Sequence, residues 1–287
     1  MSVMELNEDV LARLKPSYES RLGKLYEADC LAMFELIGDE TVDTVFADPP
    51  FNLKKLYGSR SKDDLSEERY LEWCRSWISE GARTLKQGGS FFLYNLPKWN
   101  LYLAMFLTEL GLDFRHWIAV EQKNCLPIQG RLYPAHYSLL YFTKGRPNVF
   151  NKIRTPIEIC RHCDGEIRDY GGHRKAMNPK GVNLKDVWTD IPPVRHRKFK
   201  PKGRTENALS TKLLDRVIEM STMPGDLVVD PFGGSGTTFA VCEKLDRRWI
   251  GSEIEDVSPI LLRLQDQVHH HKNDDFVEYP SDSIAAE

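Results

Sequence analysis

Two short stretches gather residue types that can do chemistry. The first is DPPF at 48–51, directly after the apolar run VDTVFA (42–47). Proline cannot donate to a sheet ladder, so Pro49 and Pro50 end a strand abruptly and stiffen the turn. That turn exposes one carboxylate, Asp48, and one aromatic ring, Phe51. The second stretch, LVVDPFGGSGTT (227–238), runs from a buried strand through a glycine-rich turn into a helix. Gly233, Gly234 and Gly236 lack the Cβ atoms that would keep a ligand off the backbone. No lysine follows them, so a triphosphate or pyrophosphate is not the obvious ligand. Glu253, about 20 residues on, ends the next strand, where an α/β nucleotide site places a carboxylate for ribose hydroxyls.

Both motifs need strands to hold them. KLYEA (24–28), VDTVFA (42–47), SFFLYN (90–95), FRHWIAVE (114–121) and HYSLLYFT (136–143) read as strands, with helices around 31–36, 66–85 and 99–110. The glycines of KQGG (86–89) are expected to cap the second of these helices. After Gly145 the pattern stops, and residues 150–205 are polar, basic and rich in Gly and Pro. It resumes with a helix from about Asn207 to Thr222, strands at DLVV (226–229) and RWIGSE (248–253), and helices from about Ser235 and Val257. Alternating strands and helices predict an α/β fold, Rossmann-like, with helices on both faces of a mostly parallel sheet. The expected units are a first catalytic part (1–149), a basic insertion (150–205) and a second catalytic part (206–287).

The 287 residues include 41% hydrophobic and 28% charged, an ordinary globular balance. No apolar run approaches the roughly 18 residues of a membrane span, and MSVMELNEDV is no secretion leader. Scattered cysteines fit a reducing cytoplasm. Net charge is −3, yet Asn151–Thr205 carries 14 Lys+Arg against 6 Asp+Glu, leaving −11 elsewhere. A basic block in an acidic chain points to a polyanionic partner. Cys160 and Cys163 form half of a zinc site, with His162 and His173 nearby. No second pair completes it, so no metal is expected.

From about Lys24 to Leu264 the sequence resembles the amino-methyltransferases of DNA, on DPPF and on FGGSG (232–236). The tetrapeptide precedes the glycine loop and the basic segment lies between, which is the order of the permuted beta class. The resemblance implies S-adenosyl-L-methionine as cofactor and double-stranded DNA, with its target base flipped out, as substrate. Asp48 and the Pro49 carbonyl would accept hydrogen bonds from an exocyclic amine, Pro50 would keep them rigid, and Phe51 would stack on the base. Asp29, Asn207, Asp230, Phe232, Gly233, Gly234, Gly236, Thr237 and Glu253 would line the cofactor pocket. Asp29 reads equally as a helix N-cap.

Lys123, Arg131, Arg168, Arg174, Arg195, Arg197, Lys198, Lys200 and Lys202 would meet DNA, through phosphates above all. Asp48 favours adenine N6 over cytosine N4, because the cytosine-modifying members more often start the tetrapeptide with serine. No Pro-Cys pair is present for attack at a ring carbon of cytosine. The resemblance also raises a homodimer and a cognate restriction endonuclease as partners, in association with the nucleoid. RNA methylation and a catalytically silent DNA-binding module are the competing readings; the intact motifs argue against silence.

Overall fold

The computed structural model describes residues 14–53, 63–122, 129–130, 132–157, 165, 172, 178–192 and 208–269. Nine strands form one sheet in the order β1-β2-β11-β10-β3-β4-β6-β5-β9. They are β1 (Tyr18–Glu19), β2 (Gly23–Glu27), β3 (Val42–Ala47), β4 (Leu85–Asn95), β5 (Asp113–Glu121), β6 (His136–Thr143), β9 (Val187–Trp188), β10 (Leu227–Asp230) and β11 (Arg248–Glu253). β2, β11, β10, β3 and β4 pair in parallel, while β6 runs against both β4 and β5.

Helices α1 (Cys30–Glu35), α2 (Glu67–Thr84) and α3 (Pro97–Glu109) bury Phe34, Trp77 and Leu103 against one face of the sheet. Helices α4 (Thr211–Ser221), α5 (Thr237–Lys244) and α6 (Ser258–His269) bury Val217, Phe239 and Ile260 against the other. Fully buried parallel strands need apolar residues on both faces, and β3 meets that with Val45 and Phe46 packed into opposite cores. Among the described residues no helix is long and apolar enough to cross a membrane.

Two local expectations change. α2 ends at Thr84 and passes straight into β4, so Gly88 and Gly89 belong to the strand and cap no helix. Gly88 has φ +77 and donates its N–H to the Lys144 carbonyl at 2.7 Å; a Cβ there would meet Asn148 at 2.3 Å. The glycines serve an irregularity in the β3–β4 ladder, where the register shifts between Val42 and Thr44. The basic segment, read as loop, contains β7 (Arg154–Thr155) paired with β8 (Val182–Asn183), and β9 extends the main sheet beside β5. Strands of two residues carry no legible alternation.

The chain after β9 is tied to the core through charge. Arg216, wholly buried on α4, donates to both carboxylate oxygens of Asp190 at 2.8 and 2.6 Å, and lies over the Trp188 ring. Burial opposes ionisation of Asp190, but Arg216 and Lys212 together pull it down to about 2.

Candidate active site

Parallel strands deliver their C-terminal ends to one edge of the sheet, and there ligands bind in open α/β folds. Asp29 follows β2 within two residues, Glu253 closes β11, Asp230 closes β10 and Asp48 follows β3. These strands are consecutive neighbours, so residues far apart in sequence share one edge.

The turn after β3 is gripped from α2 and α3. Tyr70 donates its hydroxyl to the Pro50 carbonyl at 2.7 Å, and Trp99 donates its indole N–H to the Phe51 carbonyl at 2.8 Å. Buried Asn95, at the end of β4, donates in turn to the Tyr70 hydroxyl at 2.9 Å. Asn52 takes φ +55 and exchanges two hydrogen bonds with the backbone of Leu65, at 2.7 and 2.8 Å. Leu53 N–H reaches Asp63 at 3.0 Å. Among the described residues, the Pro49 carbonyl accepts no hydrogen bond. Donors thus fix the carbonyls of Pro50 and Phe51, while none among the described residues holds that of buried Pro49.

Phe51 is half-buried and forms an aromatic group with Tyr94 (6.2 Å between centroids) and Tyr137 (5.5 Å), which lie 5.3 Å apart. Burial, then the nearby charge of Asp48, holds the Tyr94 hydroxyl well above its ordinary pKa. Tyr94 is therefore a neutral neighbour of a half-buried carboxylate.

The glycine loop is held by carboxylates. Asp230 is buried, accepts the Phe232 N–H at 2.9 Å and takes the Thr238 hydroxyl at 2.5 Å. Burial pushes its carboxyl up to about 7, against the opposing pull of those two hydrogen bonds. Its oxygens shape the loop from beneath, which makes Asp230 a positioning residue. Glu253 accepts the Gly234 N–H at 2.7 Å and the Glu255 N–H at 3.0 Å; burial raises its pKa too. Thr237 starts α5 and donates to the Leu209 carbonyl at 3.3 Å, joining the loop to the segment before α4.

The three glycines divide by role. A Cβ on Gly233 would lie 2.8 Å from Phe239, and one on Gly236 (φ +75) 2.8 Å from Ile260, so protein packing accounts for both. Gly234 has φ +52, is exposed and has no neighbour nearer than 3.8 Å, so open space lies where its side chain would stand. Phe232 packs edge-on against Trp77 at 5.0 Å and tilted against half-buried Trp73 at 5.6 Å, an apolar group beside the loop. Asp29 N-caps α1, accepting the Leu31 N–H at 2.8 Å.

Tyr70, Trp73, Tyr94, Trp99 and Tyr137 were not singled out in the sequence. Each sits in a helix or strand whose apolar period already explained an aromatic. The usable signal was the hydroxyl or indole N–H, which a buried position must satisfy. Asn207 and the nine basic residues from Lys123 to Lys202 lie outside the described residues, as do Cys160 and Cys163. Among the described residues no cluster of three metal-ligating side chains occurs.

The geometry has counterparts. The sequence profile of the family described as DNA methylase matches residues 42–258, from the first residue of β3 to the start of α6. The Type II methyltransferase M.BamHI of Bacillus amyloliquefaciens is 54% identical over 92% of this chain; the match spans 62% of that relative's length. In three dimensions the chain is similar to the PvuII DNA methyltransferase, described as cytosine-N4-specific (TM-score 0.60, 20% identity, covering 92% of this chain and 91% of that one). It is similar also to a Thermus thermophilus protein complexed with S-adenosyl-L-methionine (TM-score 0.56, 17% identity, 85% and 93% covered). These likenesses share one fold, the α/β fold of S-adenosylmethionine-dependent DNA methyltransferases. The profile takes in both the stiff DPPF turn and the glycine loop, and the chain belongs to the DNA methylase family.

Proposed function

We propose that the chain transfers a methyl group from S-adenosyl-L-methionine to the exocyclic amine of a base rotated out of double-stranded DNA. The observation that carries this reading is the DPPF turn, with the Pro49 acceptor left available beside Asp48, on the strand next to the glycine loop. An exocyclic amine is a poor nucleophile because its lone pair is delocalised into the ring. Two rigid acceptors, the Asp48 carboxylate and the Pro49 carbonyl, favour a pyramidal nitrogen as it attacks, by preorganisation rather than by base strength. Phe51, Tyr94 and Tyr137 supply flat apolar walls for the base.

The residues of the second turn fit the cofactor. Gly234 opens space at the surface of the loop, Glu253 borders it, and the Phe232 and Trp73 rings offer an apolar wall. The bound cofactor supplies a methyl group on a positively charged sulfur. Asp230 and Glu253, at the ends of β10 and β11, hold the backbone N–H groups of the loop in place at that edge of the sheet. The basic run 195–204, with Lys123, Arg131, Arg168 and Arg174, would neutralise phosphates and make binding salt-dependent. The relative named as a Type II methyltransferase supports a site-specific reaction, while a partner endonuclease rests on the family resemblance alone. A homodimer rests on the family resemblance alone.

Between the two amines, Asp48 as first residue of the tetrapeptide favours adenine N6. The fold neighbour described as cytosine-N4-specific favours a second reading, cytosine N4. Both amines offer two N–H groups to the same acceptors. Unmethylated DNA and, separately, RNA are incubated with methyl-labelled cofactor, digested to nucleosides and resolved by mass spectrometry. Label in N6-methyladenine or in N4-methylcytosine assigns the base; label in RNA alone, or in neither polymer, overturns the function.

A further inference from the structure

A base that enters the Phe51–Tyr94–Tyr137 group has left its stack, and its former neighbours in the duplex then face a void. Apolar side chains of other proteins enter such gaps between base steps. A side chain for that task must stand beyond the site edge of the sheet, reach solvent, and lie within a base's travel of Asp48. The hairpin joining β5 to β6 supplies one. Its outermost rung among the described residues is the hydrogen bond from Gln122 N–H to the Ala135 carbonyl, 2.8 Å, just past the Glu121–His136 pair. Leu132 lies three residues beyond that rung and is 94% exposed, more than any other large apolar side chain among the described residues.

The reach is adequate. Three residues rise at most ~10 Å above the rung, and β6 stands two strands, ~10 Å, from β3 and its Asp48. Both spans are on the scale of the ~12 Å major groove. An exposed leucine alone means little, since single apolar side chains are ordinary on surfaces. This one rises from the strand that carries Tyr137 into the aromatic group. The other strongly exposed side chains, Leu101, Met105, Phe114, Val187 and Leu262, belong to helices, to the opposite end of β5 or to edge strand β9, four strands from β3.

We propose that Leu132 is the wedge that enters the duplex as the target base leaves it. The proposal rests on the methyltransferase reading above. Sites methylated by the wild-type protein are first mapped by single-molecule sequencing. Two duplexes carrying a mapped site are then compared in single-turnover transfer, one fully paired and one with an abasic residue opposite the target base. Wild-type transfer on the paired duplex establishes the underlying reading without reference to Leu132.

Leu132→Ala is expected to slow transfer about 10-fold or more on the paired duplex. It should run near the wild-type rate where the target is already unpaired, with cofactor affinity unchanged. Leu132→Met should restore most of the loss, and Leu101→Ala, an exposed leucine on α3, should change neither rate. Leu132→Ala at the wild-type rate on the paired duplex, or slowed equally on both, would overturn the proposal.

Discussion

The two turns at the ends of β3 and β10 are neighbours in the sheet and are held in opposite ways. At the DPPF turn, side-chain donors from Tyr70 and Trp99 seize backbone carbonyls, and the acceptor left over is Pro49. At the glycine loop, the carboxylates of Asp230 and Glu253 seize backbone N–H groups, and what is left over is space at Gly234. One turn therefore leaves a backbone acceptor without a donor among the described residues, while the other leaves open space at Gly234 beside Glu253. Each is built by satisfying the complementary half of the backbone, so each can be loosened without touching the other.

The largest separation is expected from Gly236→Ala. Its φ of +75 and the 2.8 Å approach to Ile260 cost about 3 kcal/mol of stability, read by denaturant unfolding, and cofactor binding is lost with the loop. Gly234→Ala sharpens the point. It strains only a left-handed residue, about 1 kcal/mol, yet the new methyl group stands in the open space beside Glu253. Calorimetry should therefore show weakened cofactor binding on a nearly intact fold.

On the other turn, Tyr70→Phe removes the donor to Pro50 and the acceptor for Asn95. It should cost about 2 kcal/mol of stability. It should slow transfer roughly 10-fold with cofactor affinity unchanged. Asp230→Asn has the smallest effect on transfer and reports on pH instead. The unfolded chain releases this proton near 3.8 and the native state near 7, so the native state binds more protons between them. Stability contributed by this group is present at low pH and falls as pH rises through that window. Thermal unfolding of the Asn variant from pH 4 to 8 should lack that part of the slope.

Much of this was legible in sequence because the chemistry sits where apolar runs stop. VDTVFA, HYSLLYFT and RWIGSE match β3, β6 and β11 residue for residue, and Asp48 and Glu253 follow from where β3 and β11 end. The glycines were recognised, but their division was not. That Gly233 and Gly236 answer to Phe239 and Ile260 while Gly234 faces open space depends on packing from α5 and α6, which no local pattern encodes. The aromatic residues around Phe51 were hidden for a related reason. Tyr94 and Tyr137 satisfy the same strand alternation as core residues, and only sheet order brings their rings together. Asp29 was ambiguous in sequence between N-cap and pocket; the hydrogen bond to Leu31 shows the cap.

The most direct test of the site is Asp48→Ala, with cofactor binding followed by calorimetry and transfer by single turnover on DNA carrying a mapped site. If Asp48 and Pro49 act as acceptors for the amine, transfer falls by about 100-fold or more while the cofactor dissociation constant is unchanged. Loss of both together, or transfer at the wild-type rate, would contradict the account.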